Sequence, residues 1–535
     1  MKKKLFTLPL IAVFALTGCI FGKKPPVIKD PLVIPNVDVK NIQITLPERP
    51  TYNTGAVASD DAHDYIDLYE LSDFHGAVNY EEHSDRTYLG LKKLATYLNG
   101  KRANNPGGTL VLSTGDMFQG SADSNLTRGY LVNYCMNYMG FDAMAVGNHE
   151  FDWSEEWLKN NAELTYNTST IPFLGANILR KSDNKIPEYL TKSTIVTRGD
   201  YKIGLIGVIG SRLEASVLKS LVQDFDFVPY GDIVSEEAAR LKAEEGCNAV
   251  VLLAHDQADN LETFSNIDAA FGGHAHTNYP NAAQNTTRIL ATENYGSAVA
   301  HIKLMFNKET NEYEGVSAYD LDRFYSSASS IKDDEGIANI MNQFDVEINK
   351  IKNIELGKCD AELEYNRALK NICTQTMFES AIKYADTVDE IDSKKIVASF
   401  TNVNGGIRDN IQPGKITYGD VYKCFPFDNE VVLIEVTGKF LKNKLANATE
   451  FGCYRIFEEK SYFVDSFHYY IVTTDFLATS PQFTSAFRVF EEEDIIHTGR
   501  IVREDVAQKI YDIDDVKNSD WTKITGNYAQ IPMGF

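Results

Sequence analysis

The sequence predicts an α/β protein. It reads as a layered domain of β-sheets flanked by helices, joined by a helix to a smaller α/β domain. Three observations carry this. From residue 65 to about 275, short apolar runs alternate with helical patterns. From Asp334 to about Glu355, apolar residues recur at helical spacing. Beyond that helix, strand and helix patterns resume over roughly 356–535.

Within the first span, Tyr65–Leu71, Thr109–Thr114, Ala143–Val146, Tyr201–Val208, Ala249–Ala254 and Ile267–Phe271 read as strands. Each is β-branched or aromatic and bounded by Gly, Asp or Ser. Leu91, Leu94, Ala95 and Leu98 line one helix face. Leu131, Tyr134, Cys135 and Tyr138 line a second, and Val234, Ala238 and Leu241 a third. Ile289–Leu290, Ala298–Phe306 and Gly315–Leu321 look like closing β-structure. The connecting helix buries Ile337, Ile340, Met341, Phe344, Ile348 and Ile351. In the second domain, helices are expected near Leu369–Tyr384 and Gly438–Asn447, and strands at Ile396–Asn402, Glu430–Val436 and Tyr469–Thr473.

The chain has 535 residues, of which 43% are hydrophobic and 24% charged, values that exclude a disordered or collagen-like chain. Its 52 basic and 75 acidic residues leave a net charge of −23. A field of that sign repels phosphate backbones, so nucleic-acid binding is not expected. No protein partner is predicted.

Lys2, Lys3 and Lys4 precede an apolar run from Leu5 to Leu16, and Leu16-Thr17-Gly18-Cys19 follows. The run is shorter than the ~20 residues that span a bilayer, and reads as a cleaved signal, residues 1–18. The small residues before Cys19 resemble the bacterial lipobox, which implies a lipid on the Cys19 thiol and a place on the outer face of a bacterial membrane. Residues 20–50 hold six of the 16 prolines, the mark of an extended spacer, so 19–60 is expected to lift the globular part off the membrane. The expected boundaries are then 61–330 for the first domain, 331–355 for the linker helix and 356–535 for the second domain. Of the six remaining cysteines, Cys135 and Cys247 sit in apolar or helical contexts and read as buried thiols. Any disulfide is expected among Cys359, Cys373, Cys424 and Cys453.

Five short motifs each follow a predicted strand: Asp73-Phe74-His75-Gly76, Gly115-Asp116, Gly147-Asn148-His149-Glu150, His255-Asp256 and Gly273-His274-Ala275-His276. Open α/β sheets place ligand sites at that end of their strands. In an extended chain residues i and i+2 share a side, so Asp73 and His75 can reach one ion together. His274 and His276 have the same spacing. Asn148 and His149 are adjacent and point apart, so one can bind metal while the other faces a substrate. Five of the chain's 10 histidines lie in these motifs. Oxygen and imidazole donors without thiolate suit Zn, Mn, Fe or Co rather than a structural zinc cluster. Six or seven such donors are too many for one ion and suit two divalent cations about 3.5–4 Å apart, with Asp116 the natural bridge.

These motifs resemble the metallophosphoesterase superfamily, and within it the secreted bacterial 5′-nucleotidase and UDP-sugar hydrolase family. Ser113-Thr114-Gly115-Asp116-Met117-Phe118-Gln119-Gly120 and the stretch from Met139 to Asp152 carry the likeness. The resemblance implies a metallophosphoesterase domain followed by a C-terminal nucleotidase domain. It implies one metal on Asp73, His75, Asp116 and His276, and a second on Asp116, Asn148, His255 and His274. It makes His149 the catalytic histidine and Asp152 its orienting partner.

For the second domain the resemblance implies a nucleotide-binding surface. Asn404-Gly405-Gly406-Ile407-Arg408 matches an arginine-ended loop, with Asn404, Gly406 and Arg408 as phosphate contacts. Phe427, in Phe425-Pro426-Phe427-Asp428-Asn429, and Phe476 would sandwich a base, and Asn371 marks a further motif. Departures are visible. Aligned on Arg408, the family's asparagine falls on Val403, with Asn402 and Asn404 on either side. Ser480-Pro481-Gln482 stands where a Gly-Gly-Asp-Gly turn would contact the sugar, and the arginine expected ahead of Asn371 is out of register, the nearest being Arg367.

The expected activity is a membrane-tethered phosphohydrolase, most simply a 5′-nucleotidase. The alternatives are a 2′,3′-cyclic nucleotide phosphodiesterase or UDP-sugar pyrophosphatase, and a non-catalytic surface nucleotide-binding protein or adhesin. With metals in one domain and base-stacking rings in the other, a cleft between domains is expected, with rotation about 334–355.

Overall fold

The computed structural model describes residues 31–52, 54–261, 264, 266–277, 288–403, 405–444, 452–455, 463–480 and 489–522. Cys19 and Asn404 lie outside these residues. Among those described, no helix is long and apolar enough to cross a membrane.

The first domain is built on two sheets packed face to face. In the larger, the strands His63–Leu71, Thr109–Ser113, Ala143–Ala145 and Phe173–Leu174 run parallel, with Ala298–Asn307 and Tyr313–Arg323 added antiparallel at one edge. In the other, Tyr201–Ile209, Ala249–His255, Ala269–Gly272 and Arg288–Ala291 run parallel, and Ser193–Arg198 closes the edge. Ile66, Leu68, Leu110, Leu112, Ile203, Leu205, Val251 and Leu253 fill the layer between the sheets. Their strands are apolar on both faces because each sheet is also covered from outside. The helices Gly90–Asn104, Tyr130–Met139 and Glu335–Lys352 cover the larger sheet. Gly231–Ala243 covers the smaller.

The connecting helix starts at Asp334, whose side chain caps the Ile337 N–H at 2.9 Å. It buries the six residues that its periodicity marks. All but Ile351 join the first domain's core, and Ile351 enters the second domain's.

The second domain holds a five-stranded mixed sheet, ordered Gly452–Arg455, Ile396–Thr401, His468–Thr474, Glu430–Thr437, Ile495–Ile501. The helix Ala368–Ala385 packs on one face. Cys359, Cys373 and Cys424, candidates for a disulfide, are free buried thiols, as are Cys135 and Cys247.

The proline-rich segment departs from the expected free spacer. From residue 31 it is laid along both domains. Leu32, Ile34 and Val37 pack against the second domain's core, and the Leu32 N–H donates to Gln508 Oε1 at 2.8 Å. Ile42, Ile44 and Leu46 pack against the first domain's core. Between them, Thr45 exchanges two hydrogen bonds with Gln343 of the connecting helix, at 2.6 and 3.0 Å. Proline keeps such a segment extended, and alternate apolar residues then find an apolar surface.

Candidate active site

All five motifs lie at the carboxyl ends of parallel strands, and the two sheets aim those ends at one place. Beyond its strand, the Asp73 loop continues to pair with the Asp116 loop. The N–H groups of Asp73, His75 and Gly76 donate to the carbonyls of Gly115, Asp116 and Met117, each at 3.0 Å. The route is not the extended one that the i, i+2 spacing assumed. Asp73 (φ 50°), His75 (47°), Asp116 (53°), His274 (66°) and His276 (55°) are all left-handed. Such conformations cost about 1–3 kcal/mol each without glycine and persist where surrounding bonds impose them.

The side chains converge in three overlapping groups, each with its ligating atoms within 4.8 Å of one another: Asp73, His75 and His276; His75, Asp116 and His149; Asp116, His255 and His274. The equally spaced pair His274 and His276 is therefore split between two groups rather than shared by one. The His75 and His276 Nε2 atoms stand 3.0 Å apart, with Asp73 Oδ1 at 4.0 and 3.4 Å. His255 Nε2 lies 3.1 Å from both Asp116 Oδ2 and Asn148 Oδ1.

The donor set fits cations. Asp73 Oδ1 is buried and accepts no hydrogen bond. The other oxygen, Oδ2, is held by the Ser72 hydroxyl at 2.5 Å and the His274 N–H at 2.9 Å. His75 and His255 each tie Nδ1 to a main-chain carbonyl, of Gln119 at 3.0 Å and Thr114 at 2.8 Å. Those bonds fix the tautomer that leaves an Nε2 lone pair for a metal. Burial, together with the charge of His276, holds the His75 pKa well below the ordinary value.

His149 belongs to the second of these groups. The N–H donates to Asp116 Oδ1 at 2.8 Å, and Nδ1 lies 2.7 Å from Asp152 Oδ2. Burial opposes protonation of His149, but the Asp152 and Asp116 carboxylates outweigh it and raise the pKa above the ordinary histidine value.

A cleft of roughly 560 Å³ opens over the site, within the range of small-molecule pockets. One wall carries Asp116, Asn148, His149, Asp152, His274 and His276, and the other Arg408, Phe427 and Phe476. Main-chain and side-chain contacts join the domains around it. The Asn125 amide donates to the Pro426 carbonyl at 3.0 Å, and Arg128 pairs with Asp428 at 3.1 Å.

Two expectations in the second domain are corrected. Asn371 is not among the residues lining the cleft, and its amide donates to the Trp521 carbonyl at 2.5 Å. Gly405, in a left-handed conformation (φ 81°), lines the cleft in place of Gly406, which packs on Asn402. Asn402 lines the cleft with a buried Oδ1 that accepts no hydrogen bond, while Asn404 lies outside the described residues. Gln119 also lines the cleft with an unpartnered buried Nε2, as does Arg408 with its Nε. Unsatisfied buried polar atoms are rare enough that a cleft holding several points to a polar ligand. Trp153, Trp157, Leu218 and Leu221 add an apolar stretch that sequence reading missed. Their spacing on short segments is indistinguishable from core packing.

Paired parallel sheets with carboxylate, amide and imidazole donors at their strand ends define a metallophosphoesterase domain, here facing a second domain across a cleft. The chain matches the calcineurin-like phosphoesterase family over residues 68–278 and the 5′-nucleotidase C-terminal domain over 359–470. It thus carries a calcineurin-like metallophosphoesterase domain followed by a 5′-nucleotidase C-terminal domain. Endonuclease YhcR of Bacillus subtilis is 27% identical over 72% of this chain and 32% of its own length. A probable 5′-nucleotidase of Treponema pallidum is 24% identical over 64% of this chain and 67% of its own. The matched stretch is thus about a third of the first relative. The crystal structure of a 5′-nucleotidase precursor from Thermus thermophilus superposes with a TM-score of 0.67 at 18% identity, covering 84% of this chain and 97% of that one. At that identity the likeness is one of fold.

Proposed function

We propose that this chain is a metal-dependent phosphohydrolase that releases phosphate from nucleotides, most simply from 5′-nucleotides. The observation that carries the reading is the cleft, with cation donors and His149 on one wall and Arg408, Phe427 and Phe476 on the other. The name of the Treponema pallidum relative supports it. Two divalent cations are proposed, one on Asp73, His75, Asp116 and His276 and one on Asp116, Asn148, His255 and His274. Bound there, they would supply Lewis-acid charge toward phosphoryl oxygens and ease the ionisation of water.

The protein's own residues do the rest. Arg408 offers a planar pair of donors to the phosphate. Asp152 accepts from the Nδ1 of His149 and favours the protonated ring, so Nε2 can carry the second proton. From there it stabilises the transferring phosphoryl group or passes to the leaving oxygen. Phe427 and Phe476 hold a base by stacking. A second reading, hydrolysis of a cyclic nucleotide or a UDP-sugar, draws support from the missing Gly-Gly-Asp-Gly turn and from the added apolar lining.

The lipobox-like Leu16-Thr17-Gly18-Cys19 supports export and a lipid anchor on Cys19.

The test is hydrolysis of AMP, UDP-glucose and a 2′,3′-cyclic nucleotide, with and without chelator, by wild type and His149→Ala. AMP turnover that needs metal and His149 supports the first reading, and preference for another substrate supports the second. Chelator-insensitive turnover contradicts the metal chemistry, and no turnover of any substrate leaves a nucleotide-binding protein.

A further inference from the structure

Glu150 ends the Gly147-Asn148-His149-Glu150 motif, yet it has no part in the chemistry above. Its side chain is buried at 2% exposure and is not among the residues lining the cleft. The carboxylate faces main chain instead. Oε2 accepts from the N–H groups of Asp116 and Gly147, both at 2.8 Å, and Oε1 accepts from Met117 at 2.9 Å.

These three donors come from two loops, which follow the neighbouring parallel strands Thr109–Ser113 and Ala143–Ala145. One loop carries Asp116 in its left-handed conformation, after Gly115 at φ 101°. The other carries Asn148 and His149. The loops approach so closely that a Cβ on Gly147 would lie 2.3 Å from Asp116 Oδ1 and 2.9 Å from Glu150 Oε2.

We infer that Glu150 is a positioning residue that sets the register between the Asp116 loop and the Asn148–His149 loop, and through it the spacing of the cation-binding atoms. Three converging N–H groups need a partner with an oxygen at each terminal position, and the Glu150 carboxyl group places one at both. Glutamine has the same shape but would turn an NH₂ toward at least one of those N–H groups. The inference rests on reading these loops as cation ligands.

The experiment uses the purified chain, stripped of metal, titrated with Zn²⁺ and with Mn²⁺ by calorimetry, for wild type, Glu150→Gln and Gly147→Ala. Circular dichroism of each metal-free protein checks the fold. The expected result is metal affinity lowered by about 10- to 100-fold in Glu150→Gln, as for other residues that orient ligands. At saturating metal KM stays unchanged. Gly147→Ala forces the same loops apart with the Glu150 side chain unchanged, and the same loss is expected. Wild-type affinity in a folded Glu150→Gln overturns the inference. Should Glu150→Gln fail to fold, wild-type affinity in Gly147→Ala overturns it. A wild type that binds neither cation removes the metal reading itself, and the inference with it.

Discussion

The imidazole of His149, from the first domain, faces the ring of Phe427, from the second, at 5.8 Å between centroids and 33° between planes. The Arg408 guanidinium lies 5.2 Å from the centroid of the same phenyl ring. At that separation the rings are in direct contact, so no base fits between them. A nucleotide must therefore stack on Phe427 away from His149, or separate the domains as it enters.

Phe427→Ala and Phe476→Ala are expected to raise KM for a nucleotide by about 10-fold or more, from the loss of ~1–3 kcal/mol of stacking. The kcat should change little. Glycerol phosphate, which has no base, serves as the control, and its KM should not move. Equal effects on both substrates would remove the stacking role.

His149→Ala should lower kcat by roughly 10²- to 10⁴-fold, the usual worth of a positioned proton donor. Metal content, measured by atomic emission, should stay at the wild-type level. Asp152→Asn should cost less, because the amide still holds Nδ1 but lacks the charge that favours imidazolium.

Dialysis against a chelator should abolish turnover and lower the melting temperature, because a ligand that binds only the folded state stabilises it. Re-adding one divalent cation at a time should restore both. Turnover that survives complete stripping would contradict the site's assignment.

The segment from residue 31 to 52 should act as a stabilising strap. Leu32→Ala with Ile34→Ala is expected to destabilise the second domain by about 1–3 kcal/mol, less than for fully buried side chains because both are half-buried. Chemical denaturation followed by a probe in each domain would read this, and an unshifted second-domain midpoint would count against it.

Burial pushes the Asp475 carboxyl up to about 7, against the N–H groups of Phe476 and Glu430, which favour its charged form. A carboxyl raised on folding contributes stability only while protonated. That contribution is present below the unfolded pKa of about 4 and is lost as pH rises toward 7. Asp475→Asn keeps the acceptor oxygen and should flatten this part of the stability–pH curve. Melting temperatures between pH 4 and 8 test it.

Much of the architecture was legible from periodicity. The helix over Glu335–Lys352 buries the residues its spacing marks, because a stripe of apolar side chains at 3.6-residue spacing has one way to leave water. The metal motifs were legible because chemistry restricts their residue types. The helix Val502–Ile513 was missed, as was the strand Glu355–Cys359, whose pattern is brief and whose sheet partners lie far away in the chain.

By itself the sequence determined the alternation of strands and helices, the donor types at the strand ends and the family they resemble, since these depend on residue identity and local spacing. Only the tertiary structure decided which donors share a group, that Asn402 lines the cleft and Asn371 does not, and that the proline-rich segment lies against both domains. Those outcomes depend on left-handed backbone turns and on surfaces brought together from distant parts of the chain, which local spacing does not encode.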